Sequence, residues 1–167
     1  MLEFVKGNTF AQRIYESVGF KIVRELDCLR GTAEKSPVAN GVTFREIESV
    51  DWDQLKTFFS IQPSWQNNVE SVLRAIGKRK TIGCYINNEL VGFASFNPDN
   101  GRIALMAIAP EHRRKGYGSQ LLSYIQQQFD GEVSVFNVDK SHTATHEFLT
   151  KRGLQSVVEQ YEMVLEL

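Results

Sequence analysis

Cysteine is scarce in this chain. The two present, Cys28 and Cys84, lie in separate apolar runs with no other metal-ligating residue at ligand spacing. That argues against a disulfide framework or a zinc site and points to a reducing compartment, the cytoplasm. No apolar stretch approaches the length of a membrane span, and the opening MLEFVKGNTF has no basic region followed by a long apolar run. A soluble, unsecreted protein that does not bind membranes is therefore expected. Excess charge is missing too: 19 basic residues stand against 20 acidic ones, a formal net charge of −1. Nothing global favours nucleic acid or an anionic membrane surface, while a local basic cluster can still bind a small anion. At 167 residues the chain is long enough for one well-filled core and marginal for two.

What is present includes a repetition. NTFAQRIYESVGFKIVRELDCLRG near the start and HTATHEFLTKRGLQSVVEQYEMVLEL at the end each read as a helix-like run, a glycine and a strand-like run. With Gly19 laid over Gly153, Ile14 falls on Phe148, Phe20 on Leu154, Val23 on Val157 and Glu25 on Glu159. Between the copies, GTAEKSPVANG is small, polar and broken by Pro37, the composition of a linker, so residues 31–41 are expected to separate a segment 1–30 from a domain 42–167.

From Val42 onward the patterns alternate. VTFREI reads as a strand, and Asp51 caps a helix over DWDQLKTFFS. A second helix is expected over 67–78. TIGCYI, LVGFASFN and RIALMAIA, joined by NNE and PDNG, read as an antiparallel meander. SQLLSYIQQQF places Leu121, Leu122, Ile125 and Phe129 on one helical face. VSVFNV is apolar enough to be buried on both faces, and a helix around 144–152 and a final strand follow. The predicted order is β, α, α, β, β, β, α, β, α, β.

The chemistry concentrates in IALMAIAPEHRRKGYGSQLL, where a strand stops at Pro110 and a basic loop with two glycines opens a helix. Glycines let the backbone turn tightly and bring bare N–H groups close to a ligand. At a helix N-terminus those unpaired N–H groups and the dipole favour an anion such as phosphate. A glycine-rich turn with solvated charges is the plainer reading of the same loop. The familiar nucleotide loops fit badly: GxxxxGK[ST] is missing, and after Gly116 and Gly118 a dinucleotide fingerprint's third glycine is replaced by Leu121.

The run Ile103 to Leu122 resembles the acetyl-coenzyme A motif of the GNAT superfamily of N-acetyltransferases. The loop form Q/R-x-x-G-x-G/A is matched by Arg113, Arg114, Lys115, Gly116, Tyr117 and Gly118, and Ile108-Ala109-Pro110 is similar to the family's V-x-P strand end. The resemblance implies an α/β (α+β) fold with a mixed, mostly antiparallel central sheet flanked by about four helices. It further implies that the amides of Arg113 to Ser119 hold the pyrophosphate of acetyl-coenzyme A and that Met106, Ala107 and Ile108 offer backbone groups to the pantetheine arm. The implied reaction is direct acetyl transfer, without metal, to an amine of a small molecule or peptide.

That transfer needs a neutral amine, an oxyanion donor and departure of a thiolate. A backbone N–H near Ile108 is the expected donor. The family's helix pattern N-x-x-A-x-x-F-Y-x-x-x-G-F supplies a Tyr as proton donor, and here that position is Leu149, in a run marked by His142, Thr145, Phe148, Gly153 and Leu154. A thiol titrates near about 8.5 and an amine near about 10.4, so losing the acid costs less than losing amine deprotonation. Asp139 and His142 are candidate bases by location, and His142 can equally cap the following helix. A coenzyme-binding half without catalysis is the alternative. Trp65 is a candidate lining residue of the acceptor pocket, Trp52 a core anchor, and His112 and His146 surface residues. Tyr117 packs either on the cofactor or on the neighbouring helix.

The opening segment matches the same helix pattern better than the ending does, through Asn8, Ala11, Ile14, Tyr15, Gly19 and Phe20. It resembles the tail of a preceding domain of a tandem pair. An isolated apolar strand is not stable in water, so Phe20 to Leu29 is expected to pair with a sheet edge of its own domain or of a second copy, the latter giving a homodimer.

Overall fold

A computed structural model describes residues 1–75 and 77–166. In chain order the elements are β1 (Leu2–Val5), α1 (Thr9–Ser17), β2 (Lys21–Gly31), β3 (Val42–Glu46), α2 (Trp52–Lys56), α3 (Val69–Arg74), β4 (Lys80–Ile86), β5 (Glu89–Asn97), β6 (Arg102–Ile108), α4 (Tyr117–Gln126), β7 (Val133–Asp139), α5 (Thr143–Lys151) and β8 (Gln155–Val164). Single 3-10 turns cover Trp65–Asn67 and Pro110–His112. The strands form one sheet in the order β1-β8-β2-β7-β6-β5-β4-β3, antiparallel throughout except for β6 beside β7.

From Val42 onward the order is the one predicted, and the sheet is mixed and mostly antiparallel. Local chemistry sets several boundaries. Asp51 Oδ1 accepts from the amides of Asp53 and Gln54 to start α2, and Asn68 Oδ1 accepts from Ser71 N at 2.8 Å to start α3. Asn87 and Asn88, at φ 49° and 68°, make the tight turn of the β4–β5 hairpin. The second helix is shorter than the predicted 67–78: it ends at Arg74, Gly77 has a left-handed φ of 88°, and residue 76 lies outside the described residues.

Two apolar layers cover the sheet. On one face Leu121, Leu122 and Ile125 of α4 and Leu149 of α5 pack on Ile82, Cys84, Ala94, Phe96 and Ile103. On the other, Leu55, Phe58, Val69 and Val72 pack on Phe93, Ala104 and Leu105. Trp52 joins this second layer with its ring edge-on to Phe93, the anchor role expected of it. Burial pushes the Cys84 thiol up to about 11 and raises Cys28 as well, so both sulfurs behave as apolar filling.

The opening strand pairs within its own chain, although not at an edge. β2 lies between β7 and β8 and bonds to both. Leu26, Cys28 and Leu29 are buried there, and burying each leucine is worth about 1.5–3 kcal/mol. Its placement obeys a local two-fold. Adding 134 to a residue number carries Gly19 onto Gly153, β1 onto the end of β7 and β2 onto β8. The pairs Val5–Gln160 and Phe4–Tyr161 thereby become Asp139–Leu26 and Val138–Asp27, both of which occur. Within β2–β8, Ile22–Met163 becomes Ser156–Leu29, also present, and the register shift at one end is the image of the shift at the other. The axis passes beside the pair Leu26–Gln160.

Side chains follow the same operation. Lys6 Nζ contacts Glu25 at 3.0 Å and Glu159 at 3.2 Å, while Lys140, its image, is bonded to Glu159 and lies 3.9 Å from Glu25. Lys6 N donates to Glu159 O at 2.9 Å and Lys140 N to Glu25 O at 3.0 Å.

The segment 32–41 is exposed along most of its length, as its composition suggests, but it is tied down. Ala33 N donates to Gln126 Oε1 at 2.9 Å, Ser36 N to Ser123 Oγ at 3.0 Å and Ala39 N to Gln120 Oε1 at 2.9 Å, all on one face of α4. Glu34 N adds a bond to Arg152 O at the end of α5.

Candidate functional site

β6 and β7 are paired only at Arg102–Ser134 and Ile103–Val135. Beyond these positions the strands part. Asn137, in β7, has a left-handed φ of 60°, where the β2–β7 register also shifts. The gap opens into a cleft of about 540 Å³, walled by Ala104–Ile108, the start of α4, the end of β7, α5 and the segment after α2. Ala109 N donates to Val91 O on β5. Strand alternation therefore turns the backbone groups of Ile108 and Met106 the other way, toward the cleft.

One end of the cleft suits an anion. Gly116 precedes α4 at φ 86°, a left-handed value that glycine adopts without strain, and no side chain caps the helix. The first intrahelical bond runs from Gln120 N to Gly116 O at 3.1 Å, so the amides of Tyr117, Gly118 and Ser119 precede it. Those three residues line the cleft, together with Gly116, Arg113 and Arg114. Lys151 and Arg152, from the end of α5, add further basic groups that sequence reading did not single out.

The Arg113 guanidinium has another task. Its Nε donates to Ile108 O at 2.9 Å and its Nη2 to Phe58 O at 2.7 Å, so it braces the strand end against the segment after α2. Lys115 is not on the cleft wall, whereas Met106, Ala107 and Ile108 are.

The other end is walled by Phe58–Ser64, apolar and polar residues mixed. His142 stands at the N-cap of α5 without making the capping bond. Instead its Nδ1 lies 2.7 Å from Thr145 Oγ1 and its Nε2 3.3 Å from Ser60 Oγ, at the cleft wall. Asp139 accepts from Ser141 N and Oγ and lies 3.6 Å from Arg24. Leu149, at the position of the family's tyrosine, is buried and lines the cleft. Tyr15, its image, packs on Phe4 and Phe20, outside the cleft lining.

Several expected placements differ. Trp65 is 43% exposed and not a lining residue; its backbone amide is what matters, donating to Glu162 Oε1 at 3.1 Å. His146 is not a free surface residue, since its Nε2 lies 2.6 Å from Oδ2 of the buried Asp27 and ties α5 to β2. His112 lines the cleft 3.7 Å from Glu89, and Tyr117 both lines the cleft and packs on the core.

Sequence reading also missed Asn67, Asn137 and Ser60 on the cleft wall. Asn137 was the visible one, an amide in a nearly all-apolar strand. Asn67 Nδ2 donates to Phe136 O at 2.6 Å and Asn137 Nδ2 to Glu3 Oε2 at 2.5 Å. Burial raises the Glu3 carboxyl above its ordinary value, against the lowering effect of the bond from Gln66 N.

Comparison with known proteins places this geometry. The sequence profile of the acetyltransferase (GNAT) family matches residues 44–154. No curated protein sequence matches. Among solved structures, a GCN5-related N-acetyltransferase from Kribbella flavida superposes with a TM-score of 0.67 at 14% identity, over 96% of this chain and 66% of that one. A conserved protein of unknown function from Staphylococcus epidermidis gives 0.68 at 18% identity, over 98% and 69%. The chain thus spans about two thirds of the length of these two relatives. A GNAT family acetyltransferase from Elizabethkingia anophelis, solved with acetyl-CoA bound, gives 0.57 at 16% identity, over 77% of this chain and the whole of that one.

Proposed function

The chain belongs to the GNAT acetyltransferase family, and from that premise we propose that it moves an acetyl group from acetyl-coenzyme A directly to an amine of a small molecule or peptide. The observation that carries this reading is the uncapped glycine turn of α4, open to a cleft between the parting strands β6 and β7. The cleft fits an elongated ligand with an anionic end. The amides of Gly116 to Ser119 would hold its phosphates, with Arg114, Lys151 and Arg152 nearby. The backbone of Met106 and Ile108 would hold the arm between phosphate and thioester.

Acetyl-coenzyme A supplies the thioester carbonyl. The Ile108 N–H, turned into the cleft, is placed to stabilise an oxyanion, and one such donor is worth about 2.7–4 kcal/mol in comparable sites. Its carbonyl is already used by Arg113, which fixes the orientation of that strand end. His142 is the residue assigned to take the amine proton, because Asp139 is held by Ser141 and sits beside Arg24. A second reading, a coenzyme-binding half with little or no turnover, is favoured by one observation: the buried Leu149 offers no proton to the departing thiolate.

The proposal extends to the opening segment, assigned here as the tail of a preceding acetyltransferase unit of a tandem pair. Its support is the two-fold register that relates residues 2–31 to the chain's end. The cytoplasm is the proposed compartment.

Titration calorimetry with coenzyme A is the test, followed by thiol release over a panel of amines. Saturable binding is expected, and no heat at high micromolar ligand would overturn the family function for this chain. Turnover of any amine would discard the inactive reading.

A further inference from the structure

We infer that Arg24, on β2, is a positioning residue for the acceptor end of the cleft, holding the segment Ser60–Gln66 in the shape that the acceptor meets. The inference rests on the proposed function for the word acceptor, although not for the clamp itself. Arg24 Nε donates to Glu162 Oε2 at 2.6 Å, and its Nη1 donates to Gln62 O at 2.9 Å and lies 3.6 Å from Asp139 Oδ2. Glu162 is buried and its second oxygen accepts from Trp65 N at 3.1 Å. One guanidinium therefore connects two points of the segment, one directly and one through a carboxylate, to the end of β7 where His142 follows.

The planar fork of arginine matters here, because a single ammonium cannot hold Glu162 and the Gln62 carbonyl in the same geometry. Neighbouring bonds complete the clamp: Gln66 N donates to Glu3 Oε1 at 3.4 Å, and Asn67 Nδ2 to Phe136 O. Both Glu3 and Arg24 come from the first thirty residues, yet Gln62 and Ser64 line the cleft. The two-fold does not repeat this device. The image of Arg24 is Val158, that of Glu162 is Cys28 and that of Glu3 is Asn137, so the clamp belongs to one side only.

Hydrogen–deuterium exchange on the full chain tests the clamp without any ligand. Arg24→Gln is expected to speed exchange of the amides of residues 60–62 and 64–66 on the order of 10- to 100-fold, the worth of an ion-paired hydrogen bond, while β4, β5 and β6 keep their rates. Arg24→Lys should fall between. Unchanged exchange in 60–66, or equal acceleration throughout the sheet, overturns the inference. If Arg24→Gln does not fold, the Arg24→Lys comparison decides by the same criterion.

For an amine that the unmodified protein acetylates, Arg24→Gln should raise the acceptor KM by a similar factor and leave the coenzyme A Kd within about twofold. A fall confined to kcat, or a matching loss of coenzyme affinity, refutes positioning. Should the unmodified protein bind no coenzyme A, the proposed function fails while the exchange result still judges the clamp.

Discussion

Residues 2–31 and 136–165 share a backbone plan and a two-fold, yet they are finished differently. In the later copy, Phe148 of α5 sits against the glycine turn of α4, where a Cβ at Gly118 would lie 3.4 Å from its ring. In the earlier copy, Phe10 and Ile14 of α1 and Val18 just after it are 76%, 45% and 59% exposed, no residue of α1 is buried, and Tyr15 packs on Phe4 and Phe20. The strand of the earlier copy, by contrast, is buried from Leu26 to Leu29, although Ile22 and Val23 near its start are exposed. The same sequence pattern therefore places a strand securely wherever the two-fold offers partners, whereas it buries a helix only where another helix covers it.

The sharpest way to break this comparison is to truncate one apolar residue from each part of the opening copy. Leu26→Ala in β2 should cost about 2–5 kcal/mol in urea unfolding, the range for a filled core position. Ile14→Ser in α1 should stay within about 0.5 kcal/mol, as surface changes do. Equal costs would mean that α1 is covered in solution.

A smaller effect separates the paired glycines. Gly19 and Gly153 have φ values of 96° and 98°, so alanine at either meets left-handed strain of about 1–2 kcal/mol. At Gly153 a Cβ would also lie 2.6 Å from Thr32 O, a backbone atom, whereas at Gly19 it meets only the end of the Leu165 side chain at 3.2 Å. Gly153→Ala should therefore lower stability by at least roughly 1 kcal/mol more than Gly19→Ala, measured in the same urea series. Identical losses would contradict the tight crossing of residue 32 over the start of β8.

Position in the sheet was the part of the fold least legible in the sequence. The alternation of β3, the apolar runs of β4 to β6, the capping Asp51 and the Asn-rich turn all speak through neighbours a few residues away, and those elements fall where expected. The partners of β2 lie more than a hundred residues on, and periodicity says nothing about them. The repeat did contain the answer, since two similar helix–strand units meeting antiparallel generate a two-fold.

In the site, the glycine loop was legible because left-handed backbone demands particular residues. Arg24, Glu3 and Asn67 were not, because each is a lone polar residue whose partner is supplied by distant chain. Trp65 drew notice by its place between the first two helices, and its amide does the structural work.

The smallest expected effect concerns the lysine–glutamate quartet around the axis. Bonds from Lys140 and then Lys6 hold the Glu159 carboxyl below its ordinary value of 4.5. A depressed carboxyl contributes stability that is complete above the ordinary value and lost as pH falls below it, through the folded-state value. Lys140→Ala and Lys6→Ala should each reduce the fall in melting temperature between neutral pH and that acid range, Lys140→Ala by more because its bond is the larger cause. A larger effect from Lys6→Ala would contradict that ranking.

The strap over α4 couples two parts of the molecule mechanically. Its three bonds engage Gln120, Ser123 and Gln126, successive rungs along the helix whose first turn faces the cleft. Any tilt of that helix must stretch the strap, and the strap is anchored by β2 at one end and β3 at the other. The strap therefore ties α4 to β2, so that seating β2 in the sheet and holding the amides of the first turn of α4 in register are linked mechanically.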